Sequence, residues 1–176
     1  MNEKLIGKLT KPLCVLVFTI VLVSAWAYET GISTVTTYST TKLATVIGLS
    51  PEFSKAPIKG AVMRTTNLDI FEVNDIDPYF INRIKIRITL VNPDQLTPEY
   101  DFMMFHIEIY DFTGGSVGGK LSTKKILSLE NPIIEFYTED WISYSRDLIV
   151  KTDVVFKSSK AGISVKPELY LEISQA

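Results

Sequence analysis

Residues 80–112 read FINRIKIRITLVNPDQLTPEYDFMMFHIEIYDF, and this stretch decides the fold class. Its first part places isoleucine or leucine at every second position from Ile84 to Leu90, with basic residues and threonine between them. Its last part alternates in the same way from Met103 to Tyr110. A period of two gives a strand one buried face and one wet face. The stretch therefore predicts two strands, over 80–91 and 102–112.

Short strands are also predicted along the rest of the chain. They lie at 61–71, 124–129, 133–137, 148–156 and 163–173, and turn-rich loops at 48–60, 113–119 and 157–162 separate them. Thr138 is expected to cap one short helical turn. About eight short strands without a long helix after residue 28 predict an all-β chain, with a β-sandwich or jelly roll over residues 48–176.

The composition is that of one globular domain. The chain has 176 residues, of which 46% are hydrophobic and 22% are charged. The formal net charge is −2, and a protein that binds nucleic acid normally presents a basic face. We expect no nucleic-acid partner.

The N-terminus has the layout of a signal peptide. Lys4, Lys8 and Lys11 precede an apolar run, and Ala25 and Ala27 place small residues where a signal peptidase reads them. We expect residues 1–27 to form a signal-peptide helix that is cleaved, so that the chain is secreted and meets a membrane only before cleavage. The alternative is an anchor that is retained, although an apolar core of about 16 residues is shorter than the roughly 20 of a spanning helix.

Residues 28–47 read YETGISTVTTYSTTKLATVI and contain nine threonines or serines. Such a segment favours a strand, and its backbone groups need a sheet edge as a partner. That edge can belong to another molecule or to the same one. Ile32, Thr34 and Thr36 would share one face of the strand, and Val35 and Thr37 the other. The predicted inserting segment comprises Tyr28, Glu29, Thr30, Gly31, Ile32, Ser33, Thr34, Val35, Thr36, Thr37 and Tyr38.

Carboxylates are the chemical groups that stand out in the mature chain. Asp69, Glu72, Asp75 and Asp77 lie close together in the sequence, and hard cations such as Ca²⁺ take several oxygen ligands. The spacing does not match an EF-hand, so the two interpretations are a Ca²⁺ site and a solvated acidic loop. No other cofactor is expected.

Nothing in the sequence predicts an enzyme. His106 is the single histidine, and Cys14 is the single cysteine and lies in the leader, so a triad or a zinc site has no partners. The glycines from Gly114 to Gly119 lack the Lys-Ser/Thr ending of a phosphate loop and are interpreted as a turn.

The chain resembles the TasA/camelysin-type secreted fibre subunits of bacteria and their archaeal relatives, the bundling pilins and cannula subunits. Ser24-Ala25-Trp26-Ala27-Tyr28 is similar to the leader junction of the bacterial members. The similarity to archaeal members lies in INRIKIRITLVNPDQLTPEYDFMMFHIEIYD at 81–111, with smaller echoes in KKILSLENP at 124–132 and in the last strand.

This resemblance implies a structural subunit of an extracellular filament, such as a pilus, a biofilm fibre or a cannula. Its subunits polymerise head to tail by donor-strand complementation, in which the N-terminal strand of one copy fills a gap in the sheet of the next. That role would fall on residues 28–38, with further contacts to neighbouring filaments or a cell surface. Cannula subunits also imply calcium at subunit contacts.

A monomeric binding domain, secreted or membrane-anchored, is the competing interpretation. In this case residues 28–38 would pair with their own sheet, and exposed aromatic residues would form an adhesive strip. The aromatic candidates are Tyr110, Trp141, Tyr144 and Tyr170.

Overall fold

The computed structural model describes residues 31–35 and 43–176, so the predicted leader at 1–27 lies outside the described residues. The strands are β1 (Ser33–Val35), β2 (Thr45–Gly48), β3 (Val62–Asn74), β4 (Ile84–Leu90), β5 (Tyr100–Asp111), β6 (Lys125–Ser128), β7 (Ile133–Tyr137), β8 (Leu148–Ser158) and β9 (Glu168–Gln175). Within the described residues, the helical structure consists of α1 (Pro93–Leu96) and 3₁₀ turns at Thr113–Gly115 and Thr138–Asp140. None of the helices within these ranges has the length and apolar character to cross a membrane.

The strands form two sheets, which confirms the predicted all-β class. Sheet A has the order β1-β9-β4-β7, and sheet B has the order β2-β3-β8-β5-β6. β2 belongs to sheet B, so the sandwich includes residues on both sides of the predicted boundary between residues 47 and 48.

The alternating residues of the strands build the core between the sheets. Ile84, Ile86 and Ile88 on β4 are fully buried, whereas the lysine and arginine between them remain half-exposed. Phe105 on β5 and Phe156 on β8 are also fully buried, and both belong to the same apolar cluster. Burial of one face of each strand therefore holds the two sheets together.

Two predicted strands are shorter than expected. β4 begins at Ile84 rather than Phe80, because the Phe80 and Arg83 amides donate to the Asp77 and Phe80 carbonyls in successive turns. β9 begins at Glu168 rather than Ile163, directly after Pro167, which has no amide to donate to a ladder. Alternating residues alone did not reveal these long-range and local turn contacts.

Thr138 does begin a short 3₁₀ turn, but its predicted capping role is wrong. Its hydroxyl makes no cap hydrogen bond. The hydroxyl instead accepts from the Ile84 amide at 3.0 Å and lies 3.2 Å from the Ile84 carbonyl oxygen. Thr138 therefore attaches the turn to the start of β4.

Side chains close both sides of the sandwich between its sheets. On the side of β6 and β7, Lys125 Nζ donates to the Glu135 carbonyl and lies 5.3 Å from the ring centroid of Phe136. On the opposite side, β1 of sheet A meets β2 of sheet B through Thr34 and Gly48.

Candidate functional site

β1 occupies an unusual place at the edge of sheet A. It pairs with the first half of β9, with Ser33 opposite Glu168 and Val35 opposite Tyr170. Among the strand pairs of the described residues, this is the only parallel one. Parallel pairing is slightly less stable per residue than antiparallel pairing. β1 is therefore a short edge strand that differs in direction from the rest of the sandwich.

One buried side chain and two backbone hydrogen bonds anchor β1 at its start. Ile32 is 2% exposed and belongs to the central apolar cluster. Its amide donates to the Pro51 carbonyl at 2.8 Å, and the Ser33 amide donates to the Pro167 carbonyl at 2.8 Å. Two prolines thus offer their carbonyls to the incoming strand while contributing no competing amide of their own.

A group of hydroxyl contacts, here called the clasp, holds Thr34 against the β2 side. Thr34 Oγ1 lies 2.9 Å from Ser50 Oγ. The Thr34 amide donates to Ser50 Oγ, and the Ser50 amide donates to Thr34 Oγ1. Gly48 leaves the space for this contact, since a Cβ built on it would lie 2.2 Å from Thr34 Oγ1. The clasp therefore requires glycine at position 48.

Gly31 makes the entry to β1 possible. Its φ is +118°, a conformation that a residue with a side chain rarely adopts. A Cβ at this position would lie 2.6 Å from the Pro51 carbonyl oxygen. Glycine thus permits the close approach of β1 to the backbone at Pro51.

These contacts dock β1 only weakly. Burial of Ile32 contributes about 1.5–3 kcal/mol. The five hydrogen bonds of Ile32, Ser33 and the clasp contribute about 1 kcal/mol each, and the short ladder to β9 adds a similar amount for each of its bonds. Ordering the backbone of residues 31–35 costs about 1–2 kcal/mol per residue. The gains and the cost agree to within a few kcal/mol. β1 can therefore leave its site, here called the seat and formed by β9, Gly48, Ser50 and Pro51, more easily than any long strand can leave its sheet.

Asn92, which is 6% exposed, holds the backbone that leads into β9 beside β1. Its side-chain amide donates to the Lys166 carbonyl at 2.8 Å, and its Oδ1 accepts from the Glu168 amide at 2.9 Å. The Val91 amide donates to the Glu168 carbonyl as well. These bonds fix the first residue of β9 and with it the position of Pro167, so the seat can keep its shape without its strand.

No family model and no curated protein matches this chain.

The structure describes part of the predicted inserting segment, residues 28–38. Residues 31–35 lie in the seat described above, and residues 28–30 and 36–38 lie outside the described residues. Ile32 and Thr34 do point toward the core side, since Ile32 is buried and Thr34 contacts Gly48. In this structure the partner of the segment is the chain's own β9.

The four carboxylates proposed for Ca²⁺ do not come together. Within the described part of the chain, no three histidine, cysteine or acidic residues are grouped as a metal site. Asp69 pairs with Lys151 Nζ at 2.7 Å, and Asp77 Oδ1 accepts from the Tyr79 amide at 2.9 Å. Glu72 lies opposite Ile149 within sheet B, and Asp75 is beyond its end.

The four aromatic residues of the adhesion hypothesis are dispersed. Tyr110 lies on the outer face of sheet B, where its hydroxyl donates to Glu108, and Tyr170 lies on the outer face of sheet A. Trp141 is buried, and Tyr144 is exposed in the loop before β8. They do not form one continuous strip.

Ion pairs cover the outer faces of the sheets. A hydrogen bond from the Tyr137 hydroxyl, followed by one from Arg87, lowers the pKa of Glu135 to about 2. Burial opposes ionisation of Asp153, but bonds from the Asn67 amide and Arg64 outweigh it and lower its pKa. The pKa is likewise lowered for Glu108 and Asp111. Glu135, Asp153 and Glu108 form ion pairs, and Asp111 accepts from the Ser145 and Thr113 hydroxyls. A general acid near neutral pH needs a raised pKa, which none of these four carboxylates has.

Sequence reasoning missed most of the seat. Gly48, Ser50 and Pro51 were interpreted only as loop residues, and Asn92 was placed only just after the strand predicted over 80–91. Glycine and proline at 48 and 51 were a real signal for a special backbone, but the contact with Thr34 joins residues 16 positions apart. A single sequence gives no indication of such pairs.

Proposed function

We propose that the chain is a non-enzymatic structural subunit of an extracellular filament, in which β1 of one copy occupies the seat on the next. The observation that carries this proposal is β1 itself, a three-residue parallel edge strand that is anchored by the buried side chain of Ile32. A segment held in this way can exchange between identical molecules, as in domain swapping.

The strand order supports the jelly-roll part of the proposal. The orders β1-β9-β4-β7 and β3-β8-β5-β6 place eight strands in two four-stranded layers, and β2 adds one edge strand to sheet B. Eight strands in two sheets with repeated crossings between them are the layout of a jelly roll, whose neighbouring strands are antiparallel, so the parallel β1 departs from it. In that layout the edge position beside β9 belongs to β1, which makes it the position that a donor strand would fill.

Exchange would reproduce the same contacts between molecules. The carbonyls of Pro51 and Pro167, the space at Gly48 and the hydroxyl of Ser50 accept β1 whichever copy supplies it. The contact is heterologous, so it builds an open filament when the rotation between copies does not close. Backbone pairing supplies affinity, and the clasp sets the register.

The test locks β1 on its own chain. A Thr34→Cys, Ser50→Cys variant in a Cys14→Ser background joins the two sides of the clasp by a disulfide when dilute monomer is oxidised. The oxidised monomer should form no filaments by electron microscopy, and reduction should restore assembly. Filaments of unchanged form from the oxidised monomer would overturn the proposal, because β1 would then have no need to leave its seat.

A mixing experiment reports exchange directly. One chain carries Thr34→Cys and an isotopically heavy partner carries Ser50→Cys, and oxidation should give a mixed covalent dimer. The matched control replaces the first chain by Val117→Cys, which is 48% exposed and lies in the β5–β6 turn. If the mixed dimer is no more abundant than in the control, β1 does not cross between copies.

A monomeric binding domain is the second candidate, and the pairing of β1 with its own β9 favours it. A monomeric domain would be secreted without filaments, and the introduced cysteines would form disulfide bonds only within one chain. Deletion of residues 28–38 separates the two candidates as well. Ordered filaments from the deleted chain would exclude strand exchange, whereas loss of filaments would exclude a purely monomeric role.

A further inference from the structure

An exposed apolar tip lies at the end of the sandwich where β3 ends and β8 begins. The tip consists of Tyr79, Ile142 and Tyr144, which are 74%, 88% and 51% exposed. Tyr79 and Tyr144 share a cleft of about 390 Å³ with Arg83. Tyrosine is among the residues enriched at the energetic centres of protein interfaces. Tyr79 and Tyr144 meet at this cleft, and Ile142 lies two residues before Tyr144 on the same loop, so these side chains differ from apolar residues scattered singly over a surface.

The tip is held rigidly although it is exposed. Ile142 and Tyr144 lie between two buried residues, Trp141 and Ser145, and the Ser145 hydroxyl donates to Asp111 Oδ1 at 2.6 Å. On the other loop, the ring of Tyr79 packs edge-on against Phe80 with centroids 4.9 Å apart.

The two loops that carry the tip are also joined to each other. The Ile76 amide donates to the Arg146 carbonyl at 2.9 Å, and Arg146 Nε donates back to the Ile76 carbonyl at 3.2 Å. A surface that is ordered before binding loses little entropy on contact. The geometry is therefore suited to packing against a partner.

The chain itself limits how far the tip can lie from an exchanged β1. The Asp77 amide donates to the Leu43 carbonyl at 2.9 Å, so the connection from β1 ends at the base of the loop that carries Tyr79. Eight peptide units separate Val35 from Leu43 and span at most about 28 Å. When β1 lies on a second copy, Leu43 and the base of the Tyr79 loop must lie within about 28 Å of Val35 on that copy.

Strand exchange alone gives no net free energy of association, and the tip can supply it. Exchange replaces contacts within one chain by the same contacts between chains, so it does not by itself favour assembly. A stable interface commonly buries about 800 Å² per partner, and two tyrosines each bury roughly 150–250 Å². The tip is therefore too small to act alone, but it can add the new contact that an exchanged pair requires.

We infer that the tip formed by Tyr79, Ile142 and Tyr144 packs against a second copy of this chain when β1 is exchanged, and that this contact supplies the net affinity of assembly. The inference rests on the strand exchange proposed above. The occupant is a second copy because the connection from β1 reaches no farther than its immediate acceptor.

The test compares Tyr79→Ser and Ile142→Ser with the matched control Ile133→Ser. Ile133 is 54% exposed and lies at the opposite end of the sandwich, at the start of β7. All three variants should keep the urea midpoint of the wild-type monomer, since each side chain is largely exposed. The two tip variants should raise the critical concentration for assembly about tenfold, and the control should not change it.

The mixed-cysteine experiment, repeated in each variant, separates the two proposals. Tip variants that still give the mixed dimer with Thr34→Cys and Ser50→Cys but fail to build filaments support the tip as the second contact. Tip variants that assemble like Ile133→Ser overturn this inference and leave strand exchange intact. Absence of the mixed dimer in the wild-type background overturns strand exchange itself, and the inference with it.

Discussion

Replacement of Ile32 by alanine is the sharpest perturbation of β1. Ile32 is 2% exposed, and truncation of a buried isoleucine to alanine commonly costs about 2–5 kcal/mol. That loss is as large as the entire docking free energy of β1, which lies within a few kcal/mol of zero. The variant should therefore release β1 rather than unfold the sandwich. Once β1 is released, the loss saturates, and the free energy of unfolding should fall by about 1–3 kcal/mol, less than for an ordinary core isoleucine.

Hydrogen exchange followed by mass spectrometry measures this difference by region. In Ile32→Ala, peptides that cover residues 31–35 should exchange at nearly the rate of an unfolded chain, whereas residues 168–170 should keep most of their protection, because β9 stays paired with β4. Peptides from β5 and β8 should keep their protection, because the pairing of these strands does not involve β1. Urea unfolding of the same samples gives the global loss.

Ile47→Ala is the matched control, since Ile47 lies nearby on β2 and is 41% exposed. It should change the free energy of unfolding by less than about 0.5 kcal/mol and leave exchange at 31–35 unaltered. If Ile32→Ala instead raises exchange equally in β5, β8 and β9, β1 is an integral part of the cooperative core. The reasoning from weak docking would then be refuted.

Two further predictions concern Glu135 on the outer face of sheet A and Gly48 in the seat of β1. The pKa of Glu135 is lowered from 4.5 to about 2 by the Tyr137 hydroxyl first and Arg87 second. Since the folded pKa lies below the unfolded one, its charge stabilises the fold above pH 4.5, and this contribution is lost as the pH falls toward 2. The urea midpoints of wild type and Glu135→Gln should therefore differ at pH 6 and converge by about pH 2; a constant difference would contradict this. Gly48→Ala places a Cβ 2.2 Å from Thr34 Oγ1, so it should raise hydrogen exchange at 31–35; no change in exchange would show that the seat tolerates the methyl group.

Periodicity predicted the sheets well because burial acts locally on every strand. The alternation around Ile86 and Ile107 requires only that one face of each strand meets a core, and both residues are fully buried. The ends of β4 and β9 were less predictable, because they depend on the turn at Phe80 and on the bonds of Asn92. The turn at Phe80 is local but interrupts an apolar run, and the bonds of Asn92 join segments that are distant in the sequence.

The seat of β1 was predictable only in outline. A strand-forming segment with little apolar surface indicated that residues 28–38 need a sheet edge, and Ile32 and Thr34 were correctly placed on one face. The sequence does not contain the direction of pairing, since parallel and antiparallel partners demand the same alternation. The clasp could not be foreseen either, because serine and threonine are common in loops whether or not their hydroxyls meet.

The contacts of β1 and the contact of the tip are expected to control different quantities, the rate of strand exchange and the equilibrium of assembly. β1 must leave its own chain before it can enter another, so the clasp and Ile32 set the barrier to exchange. Because the same contacts form again on the acceptor, weakening them changes both states alike and has little effect on the balance between monomer and filament. The tip contact forms only in the filament, so Tyr79 and Ile142 affect the equilibrium between monomer and filament. It follows that Gly48→Ala should speed the formation of mixed dimers at nearly constant yield, whereas Ile142→Ser should lower filament yield at nearly constant exchange rate.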